Sequence, residues 1–541
     1  MFAWAAGGAQ SMGVEPDQER DPPASPTPLE FPQYVGFDGE DIQRITDFNA
    51  IYRNLIALRK PQDITIDHVK ALNLRIETDI EGLQIISDED LQGLPPLVWD
   101  KMNEDDDENP SEAPKMGNGI PYPPYEKYDI VKKELLSDTD DAFREAARMP
   151  PKPGRDRVRL TQTRKFWLGL ERIAQYWDTS QDEYFERPAA ASKPEENQTV
   201  NDERASTNTG VDSPMDTSAS PAEEIKTYER VYKGRRIGTG SEMPADIRED
   251  TMRGLLEMVA WPFQCQVSVP SLPPRLHTQG LLFPVRLTLI SGRVPQDRQA
   301  ARSGILQGPL LGVQCREETK FSAKDEEPGS WGKYCDLFRE VGAMLLLAQE
   351  RARDGAVEVR PGEGKWWTTV PRFGGAEHEG VTGEAANADD AKTKEDQKDD
   401  DNNQGVYKRS RYMNPLIASR RAARARRLTP SEKWNIIGPG TSLWDKKMNY
   451  MQIGKPNNSP YDDIYMLSSI NHHVSILHLR VHRRYIDCLT SGVSDDKDQG
   501  TTDQPWNELK LRRTKWYDLL DSEQRLEVFH SLWRLYHYIM R

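Results

Sequence analysis

Residues 462–489 read DDIYMLSSINHHVSILHLRVHRRYIDCL. Ile464, Leu467, Val474, Leu477, Val481, Tyr485 and Cys488 recur at the three-, four- and seven-residue intervals of one helix face. The spacing predicts one long helix from Asp462 to about Leu489. After a polar break at 491–505, two further helices are predicted over 506–520 and 523–540. The last has Asp521 or Ser522 as its cap and is apolar on nearly every side, through Leu526, Phe529, Leu532, Trp533, Tyr536 and Ile539. A helix that apolar needs burial on several faces, so 432–541 reads as a C-terminal helical bundle.

Working back from that bundle, 38–102 carries two stripes at helical spacing, Ile42 to Ile56 and Ile66 to Leu83, separated by Pro61. They predict a helical hairpin. Residues 1–37, rich in Pro, Ser and acid, read as a disordered arm, 103–124 as a linker, 125–187 as a helical segment and 188–227 as a disordered linker. The region 228–375 reads as a central α+β domain. Within it, strands are predicted at 228–240 (around a Lys233-Gly234 turn), 263–269, 281–290 and 310–321, and helices at 246–261 and from Tyr334 to Gly355. An acidic linker follows at 376–404 and a basic segment at 405–431. The expected fold class is α+β but mostly helical, a central α+β domain flanked by helical segments and long disordered linkers.

The whole chain carries a net charge of −15 over 541 residues, with 36% hydrophobic and 29% charged. That balance disfavours non-specific nucleic-acid binding by the general surface, because phosphates would be repelled. Cys265, Cys315, Cys335 and Cys488 form no C-x-x-C pair, which argues against a disulfide framework or a cysteine zinc module. The N-terminal residues lack the basic region of a signal peptide. No run approaches the ~20 apolar residues that span a bilayer, so no membrane association is expected.

The strongest local signal is GVYKRSRYMNPLIASRRAARARRLTPS, 405–431. Lys408 and Arg409 form one basic cluster; Arg420, Arg421 and Arg424, extended by Arg426 and Arg427, form a second ten residues on. Such a pair on a polar segment suits an extended peptide whose ends pair with carboxylates of a nuclear import receptor. Thr429 precedes a proline beside it, and a phosphate there would cancel part of the charge. Ser25, Ser213 and Ser220 are further proline-directed phosphorylation candidates. The plainer explanation of the basic run is a solvated helix facing the acidic linker.

Pro295-Gln296-Asp297, followed twenty residues on by Glu318-Thr319-Lys320, resembles the arrangement in restriction-endonuclease-like nucleases. The resemblance implies that Asp297 and Glu318 would hold Mg²⁺ and that Lys320 would orient a water or stabilise charge in phosphoryl transfer. It requires Glu318 and Lys320 to share one face of a strand. The plainer explanation is a solvent-facing strand end.

Gly362-Glu363-Gly364-Lys365-Trp366-Trp367 fails the Walker A pattern, having Val359 and Trp366 where Gly and Ser or Thr are needed. Lys365, Trp366 and Trp367 read instead as a binding loop or as the lid of a core. His472, His473, His478 and His482 cluster, with His478 and His482 one turn apart on the expected helix, but no nearby acid or cysteine completes a set, Arg480, Arg483 and Arg484 would repel a cation, and no metal site is expected. GRRIGTG, 234–240, would expose Arg235 and Arg236. No G-x-S-x-G, H-E-x-x-H or helix-opening G-x-G-x-x-G is found. The expectation is a eukaryotic, non-enzymatic nuclear regulatory or scaffold phosphoprotein acting through protein–protein contacts. It would have no cofactor, an import receptor and unidentified proteins as partners, and nucleic acid as a disfavoured one. The alternatives are a Mg²⁺-dependent nuclease-like enzyme in the central domain and a cytoplasmic helical adaptor.

Overall fold

A computed structural model describes residues 14–34, 48–58, 63–86, 90–92, 94–95, 114–188, 228–269, 274–279, 281–302, 305–321, 332–353, 449–455, 459–492 and 505–541. The basic segment 405–431, the Lys365-Trp366-Trp367 loop, Ser213, Ser220 and Thr429 all lie outside the described residues. Two compact units are distinguished. The larger takes its described residues from 27–173 and 243–541, the smaller from 14–26 and 174–242.

The larger unit is built on a nine-stranded mixed sheet, which overturns the expectation of a mostly helical chain. The stretch 462–489 is where the two part. It forms strand β10 (Tyr461–Ile470), a turn at Asn471-His472, strand β11 (His473–His482) and helix α9 (Arg483–Ser491). Every residue of β10 is buried, so both faces of the strand are covered and no polar alternation marks it. A stretch buried on both faces, with Asp462, Asp463, Ser468 and Ser469 among its buried residues, carries no period that distinguishes strand from helix. Asn471 takes φ +53°, and the two-residue turn lets Ile470 pair with His473.

The segment expected as the next helix instead holds β12 (Leu509–Thr514) and β13 (Tyr517–Asp518), both antiparallel to β11. The second stripe of the supposed N-terminal hairpin becomes α2 (Ile66–Lys70) and β1 (Leu74–Ile80), which runs parallel to β12 at the sheet edge. Of that hairpin, only α1 (Phe48–Ala57) keeps the expected form.

On the other side of β10 lies β8 (Ile305–Arg316), parallel to it, then β7 (Leu289–Arg293) and β4 (Gln266–Ser268). The short β9 (Asn449–Met451) also pairs with β8. A parallel pair needs a long crossover, and α8 (Lys333–Ala352) supplies it, with Leu337, Val341, Leu345 and Ala348 in the core as the spacing predicted. Its approach to β8 is close: a Cβ on Gly312 would stand 2.7 Å from Leu347 Cδ1. Helices α1, α2, α8 and α9 share one core with the sheet. On the opposite face, α10 (Ser522–Ile539) packs with α3 (Tyr125–Leu135) and α6 (Ala245–Ala260). Tyr128 stacks on Phe529 at 5.2 Å, and Tyr536 donates to Ser291 Oγ at 2.7 Å, tying α10 to β7. The result is helices on both faces of one sheet. The apolar last helix is therefore covered by its own chain.

In the smaller unit, β2 (Glu183–Pro188) pairs antiparallel with β3 (Tyr228–Lys233), and Arg20 bridges to Tyr232. β3 finds its partner in β2, not in the residues after Lys233-Gly234. Arg236 is fully buried and donates to the Asp182 carboxylate at 2.7 and 2.9 Å and to Ala24 O at 3.0 Å. Arg235 is buried beside Asp178 at 3.5 Å. Neither arginine is the exposed anion contact that the glycine-rich sequence suggested.

Candidate functional site

Strands β8, β10, β12 and β1 all point the same way, so their carboxyl ends meet at one edge of the sheet. That edge is where open α/β sheets place ligands. It gathers Arg316 at the end of β8, the Asn471-His472 turn after β10, Arg513 to Trp516 after β12 and Asp79 on β1. Residues 27–34, expected to be part of a disordered arm, run along this edge. Glu30 N–H donates to Thr319 O at 2.8 Å, Phe31 stacks on Trp516 at 5.3 Å, and Tyr34 is buried. Together with β1 and the end of β12 they line a cavity of about 420 Å³, bordered by Phe31, Tyr34, Glu77, Asp79, Arg513 and Trp516.

Beneath the cavity lies a buried network of opposite charges. Arg316 pairs with Asp336 and reaches Glu340 at 3.0 Å. Arg513 donates to Glu340 at 3.1 Å and lies over the rings of Tyr34 and Trp516, at 4.4 and 5.0 Å. Ser468 Oγ donates to Glu340, and Tyr34 donates to Asp336 at 3.1 Å. Burial and the neighbouring Glu340 push the Asp336 carboxyl up, against the pull of Arg316. Burial would also raise Glu340, but Arg513 and Arg316 outweigh it and hold that carboxyl below its ordinary range. Burial raises the Tyr34 phenol well above its usual value.

The nuclease-like triad does not assemble. β8 ends at Arg316, so Glu318 and Lys320 lie beyond the strand and share no strand face. Glu318 is buried and paired with Arg339 at 3.0 Å and Arg286 at 3.6 Å. Burial raises its carboxyl, yet the Arg339 and Arg286 guanidiniums more than offset that and hold it at about 2. Lys320 is half-buried. Asp297 is exposed and accepts N–H bonds from Gln299 and Ala300, capping the short helix α7 (Arg298–Arg302). Arg293 of β7 pairs with Gln307, so Asp297 stands at the end of the sheet where β8 begins. The length of β8 puts it on the order of 30 Å from Glu318 at ~3.3 Å per residue.

The histidine pair is also relocated. His478 and His482 lie on β11, where His478 Nε2 meets Asp463 at 2.9 Å and His482 caps α9 by accepting the Arg484 N–H. The histidines brought together are His472 and His473, with ring centroids 4.2 Å apart. Asp518, the cross-strand partner of His473, joins them from β13. Its carboxylate lies 3.8 Å from His472 Nε2 and 3.9 Å from His473 Nε2. Burial lowers both imidazoles, His473 to about 4. Sequence spacing could not find this trio, because only the β11–β13 register unites it. Of the phosphorylation candidates, only Ser25 is among the described residues, and it is exposed in the smaller unit. No protein-family model, no curated protein and no solved structure matches the chain.

Proposed function

We propose that this chain is a non-enzymatic nuclear regulatory or scaffold protein acting through protein–protein contacts. The observation that carries the reading is the matching of charge at the edge where the carboxyl ends of β8, β10, β12 and β1 meet. Asp336, Glu340 and Glu318 are each held by a buried guanidinium, so their lone pairs are committed to Arg316, Arg513 and Arg339. A general acid or a Mg²⁺ ligand needs a carboxylate that can exchange partners during the reaction. Carboxylates fixed in this way hold a surface in shape. The basic clusters at Lys408-Arg409 and Arg420-Arg421-Arg424 support a nuclear address through an import receptor.

Two measurements on the full chain test this. A Mg²⁺-dependent cleavage assay on single- and double-stranded DNA is expected to give no turnover; metal-dependent turnover would favour the nuclease-like alternative. A fluorescently tagged chain is expected in the nucleus, and simultaneous replacement of Arg420, Arg421 and Arg424 by Ala is expected to move it to the cytoplasm. A wild-type chain that stays cytoplasmic would favour the adaptor alternative.

A further inference from the structure

We propose that His472, His473 and Asp518 form a binding site for a divalent transition metal, zinc in the first instance, with two imidazole Nε2 atoms and one carboxylate as ligands. The backbone explains how adjacent histidines come to act together. In an extended strand, neighbouring side chains point to opposite faces. Here His472 occupies the turn and His473 opens β11, so the strand alternation does not separate them and their rings lie 4.2 Å apart. The β11–β13 pairing then sets Asp518 directly opposite His473.

The separations favour a shared cation over direct bonding. The two imidazole–carboxylate distances, 3.8 and 3.9 Å, exceed the 2.7–3.2 Å of an N–H···O bond. One donor atom from each of the three residues lies within 4.8 Å of the others. Around a tetrahedral zinc with bonds of about 2.0–2.2 Å, ligand atoms sit about 3.3 Å apart. The 3.8 Å separation is to Asp518 Oδ1 and the 3.9 Å separation to Oδ2, so gathering one donor atom from each residue, now within 4.8 Å of the others, onto a single cation takes shifts of up to about 1.5 Å. Two nitrogens and one carboxylate oxygen are a donor set suited to zinc and its neighbours rather than to Mg²⁺ or Ca²⁺.

The surroundings hold the ligands in place. Leu520 N–H donates to Asp518 Oδ1 at 2.8 Å, Leu519 N–H donates to His472 O at 3.1 Å, and Phe31 packs edge-on against the His473 ring at 4.9 Å. Outer contacts of this kind fix ligand orientation. Arg248, the guanidinium at the turn, is engaged with Asn471 and lies 3.6 Å from Glu317. Three protein ligands leave one coordination position for water or for a donor atom of a bound molecule. Beyond pinning the turn to β13, the site would thus present a Lewis-acidic centre beside the stacked Phe31 and Trp516.

The test uses the full chain, stripped with chelator and dialysed. Zinc is titrated against a chromophoric competitor, and cobalt(II) is added to a parallel sample for its visible spectrum. The expected result is an intense tetrahedral-type cobalt spectrum in the wild type. His473→Ala and Asp518→Asn should each lose one equivalent of zinc and that spectrum. Asp518→Asn keeps the side-chain shape and an acceptor for Leu520 N–H, so it isolates the ligand change from folding, which circular dichroism checks. A wild-type chain with no tetrahedral cobalt spectrum overturns the proposal without any variant. So does a folded Asp518→Asn chain that retains both the zinc equivalent and the spectrum.

Discussion

The Tyr34 hydroxyl donates to the Asp336 carboxylate at 3.1 Å, joining the segment at the sheet edge to the first turn of the crossover helix. The same hydroxyl lies 3.5 Å from Glu340 Oε2, and the ring lies under the Arg513 guanidinium at 4.4 Å. One phenol thus seals the buried network from the cavity side. Residues 27–34 join the fold through this hydrogen bond to a buried carboxylate and through the Phe31–Trp516 stack.

Replacing Tyr34 by Phe keeps the ring and its contact with Arg513 but removes the donor to a buried carboxylate. Loss of a hydrogen bond to a charged group costs about 1.5–3 kcal/mol. The denaturation midpoint should fall accordingly. Limited proteolysis should cut first within 27–34, because the bond that anchors this segment is gone. An unchanged midpoint and cleavage pattern would show that the hydroxyl does not hold the segment.

Glu318 gives a pH dependence with a fixed sign. Its carboxyl is held at about 2 when folded, below the ~4.3 of a free glutamate. A depressed carboxyl contributes stability that is complete above its unfolded value and is lost as pH falls through the folded value. Wild type should therefore exceed Glu318→Gln in stability by a constant margin from neutral pH to about pH 5. That margin should shrink between about pH 4 and pH 2. Acid denaturation followed by circular dichroism reads the difference; a margin that widens on acidification would reverse the assignment.

At the β10–β11 turn, Asn471 has φ +53° and accepts the Arg248 Nε–H at 2.8 Å. A β-branched residue in that left-handed region costs roughly 1–2 kcal/mol beyond the lost acceptor. Asn471→Val should destabilise more than Asn471→Gly, which loses the acceptor but not the backbone fit. Equal thermal shifts for the two would mean that the turn conformation carries no energetic weight.

The sequence revealed the long helices and concealed the strands whose two faces are both covered. Helices α8 and α10 were legible because Leu337, Val341 and Leu345, or Phe529, Leu532 and Tyr536, mark stripes at the period of a helix. β10 and β11 were not, because Tyr465 and Met466 alike are buried and the turn between the strands is Asn-His rather than Asn-Gly. β1 pairs with β12, and no local pattern links Leu74 to Leu509. The buried network did leave a trace: Asp336, Arg339 and Glu340 interrupt the apolar run of α8 on its inward side, and charges there need partners. Of the trio, His472 and His473 stand out as part of a histidine cluster, but Asp518 does not, since it joins them only through a strand register that spacing cannot supply.

The central claim is that the carboxylates at this edge exist to hold arginines. Glu340→Gln tests it most directly, because the substitution keeps shape and removes the charge facing Arg316 and Arg513. Breaking a buried pair by removing one partner costs about 3–5 kcal/mol, whereas replacing a reactive group commonly leaves stability unchanged or raised. Equilibrium unfolding of the full chain should show a midpoint lowered by a loss of that size. A Glu340→Gln chain as stable as wild type, or more so, would contradict the account.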